Sequence, residues 1–166
     1  MYQETLVILK PDALERKLVG AIIERFEKAR LTIVDIHYYR RVNQAILRKH
    51  YPDIMAEGLG KKAQLATSGI KDPKAHGMKV LERLRKYFTR NPIIAIRFGG
   101  EDAIQVVRKV SGYTDPATAE SGTIRGDFGT DSIAKSTAEG RACENLIHAS
   151  GNSEEAKVEL ALWFPE

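Results

Sequence analysis

The chain has 166 residues, 43% of them hydrophobic and 29% charged, a make-up that suits one globular domain with a real core and excludes a disordered or low-complexity chain. A formal charge of +4 and a pI near 9.2 favour anionic partners, either nucleic acid or small phosphates. The apolar run Leu6 to Leu9 is too short for a signal peptide or a membrane span, and the single cysteine, Cys143, rules out an internal disulfide, so a cytoplasmic location is expected. Residues 3–9 read as a strand that must end at Lys10-Pro11-Asp12, because proline has no N–H for a central ladder; a polar turn is expected there. Leu18, Val19, Ile22, Ile23, Phe26 and Ala29 recur at helical spacing and predict an amphipathic helix over 18–30. Residues 31–39 alternate and are rich in β-branched and aromatic side chains, which predicts a second strand. Asn43 is suited to cap a helix running to about residue 56.

Residues 57–77 change character, with Gly58, Gly60, Gly69, Pro73 and Gly77, and read as a loop or lid. A helix over 78–90, a strand over 93–98 and a helix over 101–110 are expected next. The cluster Arg83, Arg85, Lys86 and Arg90 reads as a solvated helix face. The glycine-rich stretch 111–141 lacks periodicity and reads as long loops, which in a compact domain usually carry function. Residues 143–148 read as a last strand, and Asn152 with Glu155 as a capping box that opens a final helix to about residue 163. Cys143 beside Glu144 lacks a nucleophile's flanking signature and is expected to pack. Strand and helix thus alternate four times, which dictates a sheet covered by helices without choosing between a parallel and a split, ferredoxin-like arrangement.

His148 follows an apolar strand, where a histidine is more often structural than functional. Its chemistry nevertheless suits a phosphate carrier. Imidazole is largely uncharged and nucleophilic near neutral pH, and it also leaves again. There is no Walker A pattern and no kinase-type glycine loop, so phosphate binding cannot rest on a P-loop.

The segments Thr5 to Asp12 (TLVILKPD), Gly122 to Phe128 (GTIRGDF) and Asn145 to Ser150 (NLIHAS) resemble nucleoside diphosphate kinases, as do Thr114 to Ala117 (TDPA) and the terminal Leu162-Trp163-Phe164. The resemblance spans nearly the whole chain, with the motifs in family order. It implies a single-domain α/β (α+β) fold, ferredoxin-like, with a four-stranded antiparallel sheet and helices packed on it. It also implies Mg²⁺ carried by the nucleotide phosphates with no direct protein ligand, nucleoside di- and triphosphates as partners, and a homo-oligomer.

Residue by residue, the family's phosphorylated histidine falls on His148, with Ser150 and Glu159 as the groups that orient it and Tyr51 nearby. A carboxylate on the other ring nitrogen fixes the tautomer, as in a catalytic triad. Lys10, Arg108 and Arg125 match phosphate-binding cations, Thr114 a hydroxyl donor to phosphate, and Asn145 a ribose contact shared with Lys10. Phosphoryl transfer needs positioning and positive charge, and these residue types supply both. The base-stacking position falls on Val80, with Leu84 as its apolar partner. His37, His50 and His76 match no role.

The chain departs from the family pattern at Gly151, where an aspartate is usual, and in insertions near 57–79 and 129–144. These departures leave open a nucleotide-binding regulatory pseudo-enzyme. A nucleic-acid-binding module of similar topology is less favoured, since Phe98-Gly99-Gly100 and Tyr38-Tyr39 do not make the aromatic pattern it needs.

Overall fold

The computed structural model describes residues 1–165. Strands β1 (Tyr2–Leu9), β2 (Thr32–Tyr39), β3 (Ile93–Glu101) and β4 (Ile147–Ala149) form one antiparallel sheet in the order β2-β3-β1-β4. With helices packed on it, this is the expected ferredoxin-like α+β domain. The run Leu6 to Leu9 is continuously apolar because helices cover both faces of the sheet. Leu6 and Ile8 enter a core with Leu47, Phe88 and Trp163, while Val7 and Leu9 enter a second with Ile22, Phe26 and Val107. A sheet covered on both sides offers no open aromatic platform on which to stack RNA bases. β2 is an edge strand, and Val34, Ile36 and Tyr38 on it are exposed.

Several elements correct the sequence reading. Pro11 opens a short helix, α1 (Pro11–Glu15), where a turn was expected; at the first helical position its missing N–H has no partner to lose. Helix α2 (Val19–Lys28) lies within the predicted span. Asn43 does cap α3 (Gln44–His50), accepting the Ala45 N–H at 2.7 Å, but that helix ends far short of residue 56, before Pro52.

The expected loop over 57–77 is instead a helical hairpin, α4 (Ala56–Ala66) and α5 (Pro73–Phe88), the latter capped by Asp72. Its glycines mark close approach and do not break helices. A Cβ on Gly60 would stand 1.7 Å from the Pro73 carbonyl oxygen, and one on Gly77 1.7 Å from that of Ala56. Arg85 leaves the solvated face expected of its cluster: it is buried and donates to the Tyr51 carbonyl and, at 2.8 Å, to Asp53. It thereby ties α5 to the segment after α3.

Helix α6 (Ala103–Ser111) follows β3 as expected. The stretch 111–141 is less loop-like than its composition suggests. It holds a 3-10 turn (Pro116–Thr118), α7 (Ile124–Phe128) and α8 (Ile133–Ala138), the two helices capped by Thr123 and Ser132. The last strand is only the three residues of β4, because Leu146 before it lies at φ 71° and breaks the extended run. Helix α9 (Ser153–Trp163) starts as read, with Asn152 accepting the Glu155 N–H at 2.9 Å. Among the described residues, no helix is long and apolar enough to cross a membrane.

Candidate active site

Two of the sequence motifs are hydrogen-bonded to each other. The Lys10 N–H donates to the Leu146 carbonyl at 2.8 Å, and the Leu146 N–H returns to Asp12 Oδ2 at 3.0 Å. These bonds hold Leu146 in its left-handed conformation, rare for a leucine, and Tyr87 fixes the carboxylate by donating to Asp12 Oδ1. The Lys10 ammonium reaches Asn145 Oδ1 at 2.7 Å, and Asn145 Nδ2 donates to the Thr114 carbonyl at 2.9 Å. Burial, with Arg125 nearby, pushes the Lys10 ammonium down to about 8. Sequence reading found Lys10 and Asn145 but missed Asp12 and Tyr87, whose partners are remote in the chain.

His148 stands on β4 with its Nε2 2.9 Å from Glu159 Oε1; Ser150 donates to Glu159 Oε2 at 2.6 Å. Burial would raise the Glu159 carboxyl, but His148, His50 and Ser150 outweigh it and hold the group at about 2. An ionised carboxylate only accepts hydrogen bonds, so in the neutral ring the proton sits on Nε2 and Nδ1 keeps its lone pair. Gly151 does not disturb this relay. Its N–H donates to Glu155 Oε2 at 2.7 Å, and a Cβ there would come within 2.5 Å of the same oxygen.

His50 is the site residue that the sequence reading passed over. Its ring lies edge-on to His148 with centroids 4.4 Å apart, and its Nδ1 accepts the Trp163 indole N–H at 3.1 Å. Burial, then the charges of His148 and Lys10, push it down to about 3 against the pull of Glu159, so the 3.6 Å approach to Glu159 is a dipolar contact and not an ion pair. An unfolded chain takes up a proton on this histidine near pH 6.5 and the folded one does not. Stability contributed by the neutral ring is therefore lost as pH falls from about 6.5 towards 3. In His50→Asn, unfolding free energy between pH 5 and 6.5 should depend less steeply on pH, by up to about 1.4 kcal/mol per pH unit. Urea titrations across that range measure the slope; an unchanged slope would mean that His50 is not held neutral.

A cavity of about 320 Å³ opens in front of His148. Lys10, Tyr51, Arg108, Thr114, Arg125 and Asn145 line it on one side, and Val80, Leu84, Leu59 and Ala63 of the helical hairpin on another. The residues picked from sequence thus converge: these line the cavity, and Ser150 and Glu159 back the histidine. Cys143 lines it too, but burial pushes the thiol up to about 12, which fits packing and not attack. Arg125 is more of an anchor than expected, donating to the carbonyls of Asn145, Gly112 and Ile147 at 3.1, 2.9 and 2.7 Å.

Lys10, Lys62, Arg83, Arg108, Arg125 and Arg141 give the cavity six cationic side chains, with no carboxylate among its described lining residues. Such a lining suits a polyanion and gives a hard cation such as Mg²⁺ no carboxylate ligand, so it fits such an ion better when the ion arrives on the ligand's phosphates. His50, His148 and Glu159 do bring donor atoms within 4.8 Å of one another, but the set is nitrogen-rich and engaged in hydrogen bonds.

The model of the family described as nucleoside diphosphate kinase matches residues 3–67 and 73–166. A nucleoside diphosphate kinase of Pyrobaculum aerophilum is 38% identical over 99% of this chain and 96% of its own. One of Pyrococcus furiosus is 37% identical over 98% of this chain and 83% of its own. The fold is similar to the crystal structure of the Pyrobaculum aerophilum NDP kinase, with a TM-score of 0.90 and 35% identity over 100% of this chain and 97% of that one. It is also similar to the Borrelia burgdorferi enzyme, a transition-state mimic with bound vanadate and ADP, at a TM-score of 0.81 and 33% identity over 99% of this chain and 88% of that one.

Proposed function

This chain belongs to the nucleoside diphosphate kinase family, and from that membership we propose a ping-pong cycle in which His148 carries the phosphoryl group. The enzyme transfers the γ-phosphate of a nucleoside triphosphate to a nucleoside diphosphate. The observation that carries the His148 reading is the hydrogen bond from Nε2 to Glu159, which leaves Nδ1 as the nucleophile beside a cavity of cations.

In this cycle the Nδ1 lone pair attacks the γ-phosphorus. A P–N bond forms, the bond from that phosphorus to the bridging oxygen breaks, and the diphosphate leaves. Glu159 keeps the Nε2 proton in place and balances the charge on the ring. Arg108, Arg125 and Thr114 hold the phosphates, Lys10 and Asn145 the ribose, and Val80 with Leu84 the base. Burial raises the Tyr51 hydroxyl above its ordinary range, which keeps it protonated and able to donate to the moving phosphate. Mg²⁺, when bound on the nucleotide, neutralises phosphate charge. A second diphosphate then takes the phosphoryl group by the reverse steps. The vanadate and ADP bound to the Borrelia relative support phosphoryl transfer at such a site.

The exposed apolar side chains of edge strand β2 support a homo-oligomer, and a lone cysteine suits a cytoplasmic setting. The test is incubation with γ-labelled ATP and Mg²⁺, followed by a search for acid-labile, alkali-stable label on His148. An apolar slab of Val80 and Leu84 cannot read base edges, so GDP, CDP, UDP and deoxy acceptors should discharge the label within roughly a hundredfold of each other. A sharper preference would locate a polar base reader in the cavity wall.

A further inference from the structure

We propose that Lys62 is an additional phosphate-binding cation that acts beside Thr114 on the nucleotide's phosphates, an inference that rests on the cavity being the nucleotide site. Lys62 stands on α4 and lines the cavity with Thr114, donating to Thr114 Oγ1 at 3.2 Å. That single bond links the helical hairpin to the loop after α6. An ammonium has three N–H donors, and among the described residues this one has no carboxylate partner. Its neighbour Lys61 shows the contrast: it points outward and pairs with Glu57 one turn back.

Lys62 instead shares the cavity lining with Arg108 and Arg125. Partial desolvation, then Arg108 and Arg125, hold its pKa below the ordinary lysine value against the pull of Glu155, so an added anion would be welcome here. A nucleotide's phosphates supply that anion. Thr114 is matched in sequence to a phosphate-binding hydroxyl; its oxygen accepts from Lys62 and its own O–H remains to be given. An arriving phosphate oxygen lets both groups turn and donate to it. Neither bond is covalent, and the exchange needs no group beyond the nucleotide.

The experiment measures equilibrium binding of ADP and of adenosine by calorimetry to the wild type, Lys62→Gln and Lys62→Arg. Glutamine can still donate to Thr114 but carries no charge, and arginine keeps the charge. A charge-assisted hydrogen bond at this exposed rim corresponds to about a tenfold loss of ADP affinity in Lys62→Gln. Lys62→Arg should stay within a few-fold of the wild type, and adenosine affinity should be unchanged in both. Equal ADP binding by wild type and Lys62→Gln would overturn the proposal. So would a parallel loss of adenosine binding, which would make Lys62 a prop for the cavity wall. Failure of the wider reading looks different: ADP binding would depend on Lys62 while the wild type took no label from ATP on His148.

Discussion

Arg125→Ala should lower turnover by about 10²–10³ and lower the melting temperature as well. The sequence marks Arg125 only as a match to a phosphate-binding cation. The structure gives it a second task. Its three nitrogens donate to the carbonyls of Gly112, Asn145 and Ile147, which lie on two different segments around the cavity. Burial pushes the group down to about 10, still high enough to remain charged at neutral pH. Five N–H groups on a guanidinium less three used leaves two for a phosphate. Alanine would leave the Gly112 and Ile147 carbonyls without this partner, while that of Asn145 keeps the Ile147 N–H; at roughly 1 kcal/mol each, a loss of about 2 kcal/mol is expected beside the catalytic one. Arg125→Lys should retain charge but meet at most part of this bonding, and should fall between. Turnover and thermal melting measured on the same preparations separate the two tasks. A slowed enzyme with an unchanged melt would mean that the loops hold without Arg125. A destabilised enzyme of normal rate would remove it from the phosphate site.

The features legible in the sequence are those written in short-range patterns. Helical spacing marked α2 and α6, alternation marked β2, and Asn152 with Glu155 marked the start of α9. What failed depends on partners remote in the chain. Gly60 and Gly77 look like breakers because their reason for being glycine is the backbone of the opposing helix. Leu146 offers no sign of a left-handed backbone, since Asp12 and Lys10 impose it from far upstream. Resemblance rather than periodicity brought His148, Ser150 and Glu159 together. It had no place for His50, whose importance lies in Trp163 donating to its ring and in its contact with His148.

With ATP and Mg²⁺ alone, the protein should take up one phosphoryl group on His148, and His148→Ala should abolish both the label and the activity. A carrier that remembers its donor lets one site serve donor and acceptor in turn. Steady-state rates should therefore give parallel double-reciprocal lines, and any nucleoside diphosphate should discharge the label. Variants of His37 and His76 should keep label and rate, because neither ring approaches the relay. His50 variants should keep the label but change its rate of formation, since that ring packs against His148. Glu159→Gln is the most telling. Glu159 can only accept from Nε2, so it fixes the proton there and leaves Nδ1 bare. A glutamine amide can turn and donate to Nε2, which moves the imidazole proton to Nδ1 and blocks the nucleophile. Labelling should then still occur but slow by up to about 10⁴, the scale set when a triad carboxylate becomes an amide. Intersecting kinetic lines without an isolable phosphoenzyme would point to direct transfer in a ternary complex. In that event His148 would be left to stabilise charge beside the reacting phosphates, and Glu159→Gln would slow turnover only through that charge.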